Sequence, residues 1–297
     1  MFKSIDGTVP NVTVVYLSYN TKDVLRNALE SLFQYVSIPL HVVVVDNGSS
    51  DGSQQMIREQ FSQVLLIENE KNLGFAAGNN VALKNVSTEF VLLLNADTVL
   101  KSQFDLQLLL SNFEDETVAV VSPRIVLPSG DLDWSSHRGI PTPWNAGWYF
   151  LGAEKLFAHV PVLNRIFCGY HQRWKDINTL HEIDACTGAG MLIRSSAMQK
   201  VGLFDEDYFF YGEDLDWCYR FKKAGWKIVY DPRTELTHLK YQAGLGKKSE
   251  HSRAFRYFFD TMEIFYKKHY RSTIFGWFVI IGIRCIRFLK GAVHASK

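Results

Sequence analysis

No part of this 297-residue chain offers a metal-binding or disulfide-forming cysteine pattern. Cys168, Cys186, Cys218 and Cys285 are widely spaced and include no CxxC pair, so a reducing compartment fits. The opening MFKSIDGTVPNV lacks the apolar core of a secretory leader, which sets the expectation of cytosolic synthesis and retention. GxGxxG and GxxxxGK[ST] loops are both absent, which removes a NAD enzyme and a P-loop ATPase from consideration. A basic excess is missing too: a formal charge of +1 argues against a nucleic-acid partner bound by phosphate neutralisation. There is no internal repeat and no low-complexity linker. Apolar residues are abundant, at 47% with 14% aromatic, enough for a large core in one elaborated domain or two fused halves and too many for a disordered or fibrous protein.

The near-neutral charge hides a division. Of 32 basic residues, seven (Lys267, Lys268, Arg271, Arg284, Arg287, Lys290 and Lys297) fall in the last 31 positions, where Asp and Glu are absent. The remainder carries 25 basic against 31 acidic residues, a net of −6. An acidic body with a basic tail suits an anionic membrane surface. Within that tail, the apolar run at 274–283 falls well short of the ~20 residues a spanning helix needs. Its aromatic content and basic flanks favour a helix lying in the membrane interface; a buried C-terminal helix or an oligomer contact is the alternative.

Strand and helix patterns alternate through the first 100 residues. Apolar runs at 12–17, 41–45, 64–67 and 90–94 predict strands, and HVVVV and FVLLL are apolar throughout, as buried parallel strands are. Between the first two, Val24, Leu25, Ala28, Leu29, Leu32 and Phe33 recur at helical spacing, with Asn20 or Thr21 as the expected cap. Residues 128–184 are irregular and rich in Trp, Tyr, Pro and Gly, as loops with short helices covering a cleft or shaping an acceptor site would be. Pattern returns with a strand at 190–193, helices near 195–201 and 213–224, and a strand at 227–230 followed by a loop.

In a parallel sheet, ligands bind beyond the carboxyl ends of the strands. The residues there are Ser18-Tyr19-Asn20, then Asp46 to Asp51 in a turn of Asn, Gly and Ser, and then Asn95-Ala96-Asp97. Each has an ordinary explanation. Asp46 and Asp51 fit a strand-to-helix turn with its cap, and Asp97 fits either a cation ligand or a cap before residues 98–100. Gly74, Phe75, Gly78 and Asn79 begin a helix whose small residues admit either a nucleotide or another helix. Glu213, Asp214 and Asp216 open a helix, where the dipole favours acids, but they follow the aromatic run 208–211, and acids against aromatics can acquire the pKa of a base. His238 is a metal ligand or an ordinary satisfied histidine.

Together and in this order, the SYN strand end, VVVVDNGSSDGS, LLLNAD and GEDLDWCYRFKKAGW resemble the family 2 glycosyltransferases, inverting enzymes of GT-A fold. The resemblance spans residues 12–238. It implies an α/β domain at 10–240 with a Rossmann-like, mostly parallel sheet flanked by helices. Residues 10–125 would bind the nucleotide-sugar and 126–240 the acceptor, followed by an amphipathic helical, membrane-associating tail at 250–297. Tyr19, Asn20, Asp46, Asp51, Gly74, Phe75, Gly78, Asn79, Asn95 and Asp97 would contact the donor. Asp97 would be the metal-binding end of a degenerate DxD motif whose first acid is Asn95, and His238 would complete a site for Mn2+ or Mg2+. Asp214 would deprotonate the acceptor hydroxyl, with Glu213 holding or tuning it.

Within the family, NLGFAAGNN with GEDLDW resembles the rhamnosyltransferases of bacterial surface polysaccharide assembly. That implies dTDP-rhamnose as donor, with UDP-sugars as alternatives, a glycan or lipid-linked glycan as acceptor, and a place at the inner face of the cell membrane. A sugar-phosphate nucleotidyltransferase is the rival enzyme, but residues 12–20 lack the glycine-rich loop with Arg and Lys that it needs. An inactive scaffold on the same fold is the rival outside enzymes.

Overall fold

The computed structural model describes the backbone of residues 11–240 and 248–295, and side chains at 11–240 and 256–287. The polar opening segment, Lys297 and the side chain of Lys290 lie outside the described residues.

The first half is a parallel sheet. Strands β1 (Val12–Ser18), β2 (Leu40–Asp46), β3 (Leu65–Glu68) and β4 (Phe90–Asn95) alternate with helices α1 (Lys22–Tyr35), α2 (Ser53–Gln60) and α3 (Phe75–Leu83). They lie in the order β3-β2-β1-β4, all parallel. After two strands to one side of β1, the chain crosses to the other, and this reversal leaves a crevice above the ends of β1 and β4. Successive β1 side chains point to opposite faces. Val12, Val14 and Tyr16 pack with Leu25, Leu29 and Leu32 of α1 and Met56 and Ile57 of α2, while Val15 joins Ala76 and Leu83 of α3 on the other face. Two-sided burial explains why these strands read as unbroken apolar runs.

The second half extends the sheet in mixed orientation. It contains β5 (Thr98–Leu100), α4 (Leu106–Ser111), β6 (Val118–Val126), α5 (Pro143–Phe150), α6 (Ala153–Phe157), α7 (Leu163–Phe167), β7 (His181–Ile183), β8 (Gly190–Arg194), α8 (Ser195–Val201), α9 (Glu213–Lys223) and β9 (Lys227–His238). The order runs on from β4 through β8, β6 and β9 to β5, with β7 also on β9. Strand β8 is antiparallel to β4 and β6, and β6 and β9 are parallel. The strand expected at 227–230 thus continues to His238, through a register irregularity opposite Pro123 and Arg124. Polar Asp231, Arg233 and Thr234 disguise it; Asp231 is held by Asn112 and Arg233, and Thr234 by Asp105.

Residues 128–184 contain the short helices α5 to α7, which pack on one another. The tail is two helices, α10 (Lys248–His269) and α11 (Ile274–Ala295), packed on each other and on α5 through Ala146, Phe259, Tyr266, Ile280 and Ile283. Among the described residues, no helix is long and apolar enough to cross a membrane.

Candidate active site

The rim above β1 and β2 is tied by polar side chains. Asn20, in the left-handed region at φ +53°, receives a bond at Oδ1 from the Ser50 amide (2.8 Å) and gives its own amide to Ser49 Oγ (2.8 Å). Thr21, one of the two expected caps, occupies the N-cap position of α1, but its side chain makes no capping bond. Thr21 instead shares a bond with Ser18 (2.9 Å), and Asp51 Oδ2 accepts the Lys22 amide (2.8 Å) from across the crevice. Asp51 Oδ1 holds the Ser53 amide of α2 (3.0 Å), so one carboxylate fixes two helix starts. Asn47 spans the next gap, donating to Asn72 and Gly74 and accepting from Asn69 and Leu73.

Asp97 follows β4 and precedes a strand, which excludes the helix-cap explanation. Pairing of Thr98 with His238 across β5 and β9 brings the histidine to it, with His238 Nε2 at 3.2 Å from Asp97 Oδ1 and 3.5 Å from Asn95 Nδ2. On its other side, His238 Nδ1 meets Asp133 Oδ2 at 3.0 Å, and Lys240 caps Asp133 at 3.0 Å. Burial works against a charged imidazole here, but hydrogen bonds and charge from Asp133 and Asp97 outweigh it and raise His238 to about 9. A carboxylate and an imidazole braced by a second carboxylate suit a divalent cation, which would take the place of the proton that His238 otherwise holds between them. The described residues contain no group of three or more His, Cys, Asp or Glu able to hold one.

Helix α9 begins after Tyr211 and Gly212, both left-handed, at φ +71° and +81°. Its three acids then divide. Asp216 faces the scaffold, bonded to Arg220 (2.8 Å) and to His269 of α10 (2.7 Å). Asp214 Oδ2 receives Arg138 Nη2 at 2.6 Å, both groups buried, and Arg138 also donates to the Cys186 carbonyl (2.8 Å). Glu213 has a buried Oε2 with no hydrogen-bond partner. Burial, then the neighbouring Asp214 charge, push its carboxyl up to about 8.

One cavity of about 730 Å³ joins these parts. It is lined by Tyr19, Asn20, Gly74, Phe75, Asn95, Asp97 and His238, and also by Arg138, Glu213 and Asp214. Much of its remaining wall is aromatic, including Tyr149 and Phe150 of α5, Tyr170, Phe209 and Phe210, and Tyr257 and Phe258 of α10. The size suits a ligand larger than a single sugar.

Residues 13–189, more than half of the chain, match the sequence model of glycosyl transferase family 2, and residues 174–292 match that of glycosyl transferase family group 2. The chain belongs to glycosyl transferase family 2. It is similar to the N-acetylglucosaminyl-diphospho-decaprenol L-rhamnosyltransferase of Mycobacterium tuberculosis, at 28% identity over 238 residues covering 76% of this chain and 75% of the relative. A shorter match, 37% over 75 residues, is to the rhamnosyltransferase WbbL of Escherichia coli K12, covering 25% of this chain and 27% of the relative. Among solved structures, the mannosyltransferase PcManGT of Pyrobaculum calidifontis, in complex with GDP-Man and Mn2+, aligns with a TM-score of 0.55 at 18% identity, covering 93% of this chain and 69% of that one.

Not every residue expected to contact the donor in this family 2 enzyme lines the cavity. Asp46 sits below the rim; its Oδ1 accepts from Ser49 and Gln54, and its Oδ2 is buried without a partner. Gly78 packs α3 against the sheet, since a Cβ there would come within 2.6 Å of Leu17 Cδ1. Asn79 donates to the Phe75 carbonyl within its own helix. Sequence reasoning missed Asn47, Asn72, Arg138, Tyr170 and the α10 aromatics. Asn47 stood inside a noted motif and could have been found; Arg138 and Tyr170 lie in the aperiodic 128–184 segment, which carried no signal.

Proposed function

We propose that this family 2 enzyme transfers rhamnose from dTDP-rhamnose to a lipid-linked glycan during assembly of a bacterial surface polysaccharide, working in the cytoplasm at the inner face of the membrane. The observation that carries the chemistry is that Asp97 with His238 and Glu213 with Asp214 line one cavity. Similarity to the mycobacterial rhamnosyltransferase, named for a decaprenol-linked acceptor, supports the sugar and the acceptor class.

In this reading, Tyr19, Asn20 and Phe75 hold the nucleotide over the ends of β1 and β2, and Asp46 braces the turn beneath them through Ser49 and Gln54. Asp97 and His238 would hold a divalent cation together with the donor phosphates, and the cation would supply charge neutralisation for the departing diphosphate. Asp214 takes the proton of the acceptor hydroxyl. As it does so, that oxygen bonds to the anomeric carbon on the face opposite the breaking bond to diphosphate, and configuration inverts. Base assistance of this kind contributes about 10² to 10⁴ in rate. Glu213, raised to about 8, is protonated at neutral pH.

The test is hydrolysis and transfer across a panel of dTDP-rhamnose and UDP-sugars with Mn2+ or Mg2+. Inverting turnover of dTDP-rhamnose is expected. Turnover of a UDP-sugar alone would reassign the donor, and no turnover with any donor would remove the transferase reading.

A further inference from the structure

Two separate surfaces leave large apolar side chains in solvent. On α11, the side opposite the packed Ile280 and Ile283 exposes Ile274, Phe275 (69%), Trp277, Phe278 (66%) and Ile281. On the α5 to α7 segment, Leu151 (75%), Leu156 (72%), Val162 (68%) and Ile166 are exposed. Val162 holds a left-handed conformation at φ +70°, costly for a β-branched residue, with its side chain outward. Isolated exposed apolar residues need no explanation, but clusters on this scale mark interaction surfaces.

The two surfaces share one support, since Ala146 of α5 packs with Phe259 and Tyr266 of α10 and Ile280 and Ile283 of α11. They also share one charge character. From 143 to 167 the single acid is Glu154, buried and held by His171 and Arg173, whereas Lys155 and Arg165 are exposed. From 267 onward there is no acid at all. Arg271, Lys155 and Arg165 have no acidic partner among the described residues, while Arg284 and Arg287 are paired with Glu263 and Asp260 of α10.

We propose that α5 to α7 and α11 form a single membrane-docking platform for an anionic lipid surface, with the α5 to α7 segment as essential as the tail. Apolar side chains enter the headgroup boundary while Lys155, Arg165 and Arg271 meet lipid phosphates. A second copy of the chain fits less well, because a two-fold contact centred here sets cations against cations. Tyr149, Phe150 and Phe258 are partly exposed and also line the cavity, so the platform borders the cavity mouth. That border gives a bilayer-anchored acceptor a route to Asp214, a consequence resting on the acceptor reading above; docking itself does not rest on it.

The experiment is flotation of the full chain with phosphatidylglycerol-phosphatidylcholine vesicles, without donor or metal, beside phosphatidylcholine vesicles alone. Binding to the anionic vesicles is expected, with a loss of about tenfold or more in both the L151E/L156E and the F275E/F278E variants. None of these four residues lines the cavity, so donor hydrolysis measured without vesicles stays at the wild-type level and reports on folding and on the transferase reading separately. The milder L151A/L156A pair gives an intermediate loss. Wild-type flotation of L151E/L156E would overturn the platform, and a concentration-dependent dimer abolished by the same substitutions would assign the surface to a second copy.

Discussion

Arg138 Nη2 stands 2.6 Å from Asp214 Oδ2, with both side chains buried and both facing the cavity. A buried carboxylate keeps its charge only with such a partner, and burial would otherwise disfavour ionisation of either group. Removing one member of a buried pair typically costs about 3–5 kcal/mol, because the other charge is left uncompensated. Arg138→Met is therefore expected to lower both Tm and kcat. Asp214→Asn should lower kcat by about 10² to 10⁴ while leaving the donor Kd near the wild-type value. Titration of donor binding alongside steady-state rates separates the two, and an active Asp214→Asn enzyme would remove Asp214 as the base.

Glu213 gives a pH signature of the opposite kind. Its folded-state carboxyl is raised to about 8 from an ordinary 4.5, by burial first and by Asp214 second, with Arg138 acting in the opposite direction. Between those values the folded chain holds a proton that the unfolded chain has lost, so stability falls as pH rises from about 4.5 to about 8 and then levels off. Glu213→Gln removes this dependence. Its Tm should match the wild type near pH 4.5 and exceed it by an increasing margin toward pH 8, on the order of 5 °C. A constant Tm difference across that range would show that Glu213 is not the buried, protonated partner.

Gly74 joins the donor side to the catalytic side. It has φ +86°, and the amide of Phe75 beside it donates to the Phe209 carbonyl (2.8 Å) in the aromatic segment leading to α9. A Cβ at this position would meet Phe209 at both its backbone oxygen and its ring, with Cδ2 at 2.8 Å. Gly74→Ala is expected to cost about 2 kcal/mol or more from left-handed strain and clash. It should also depress kcat by displacing the loop before Glu213. Urea unfolding together with kinetics checks this; an Ala variant of wild-type stability and rate would show that the contact is dispensable.

The fold was legible where side-chain pattern and environment agree. HVVVV and FVLLL announced buried strands, and the polar turns after them announced the rim, because two-sided burial leaves no room for ambiguity. Individual roles were less legible. Asp51, Gly78 and Asp216 stand in the right motifs, yet their side chains or backbone serve helix starts, packing and an α9 to α10 tie. Arg138 and Asp133 lie in a segment without periodicity, and only pairing across the sheet and the cavity brings them to Asp214 and His238. Such long-range juxtapositions leave no mark on local sequence spacing.

Asp133 is the clearest case, and it can be tested through the cation. Its Oδ2 accepts from His238 Nδ1 at 3.0 Å while its Oδ1 holds Ser135 and Lys240, an arrangement that fixes which ring nitrogen faces Asp97. A carboxylate behind a metal-binding imidazole orients the ring and raises its basicity, and losing it commonly weakens metal affinity by about 10- to 100-fold. Asp133→Asn keeps the shape and a hydrogen-bond acceptor while removing the charge. At saturating donor, the Mn2+ concentration giving half-maximal activity should therefore rise by roughly tenfold, with kcat at saturating Mn2+ largely retained. Asp97→Asn, which alters the proposed ligand itself, should lower kcat even at high Mn2+. An unchanged Mn2+ midpoint in Asp133→Asn would mean that His238 does not hold the cation, and Asp97 would then bind it without the histidine.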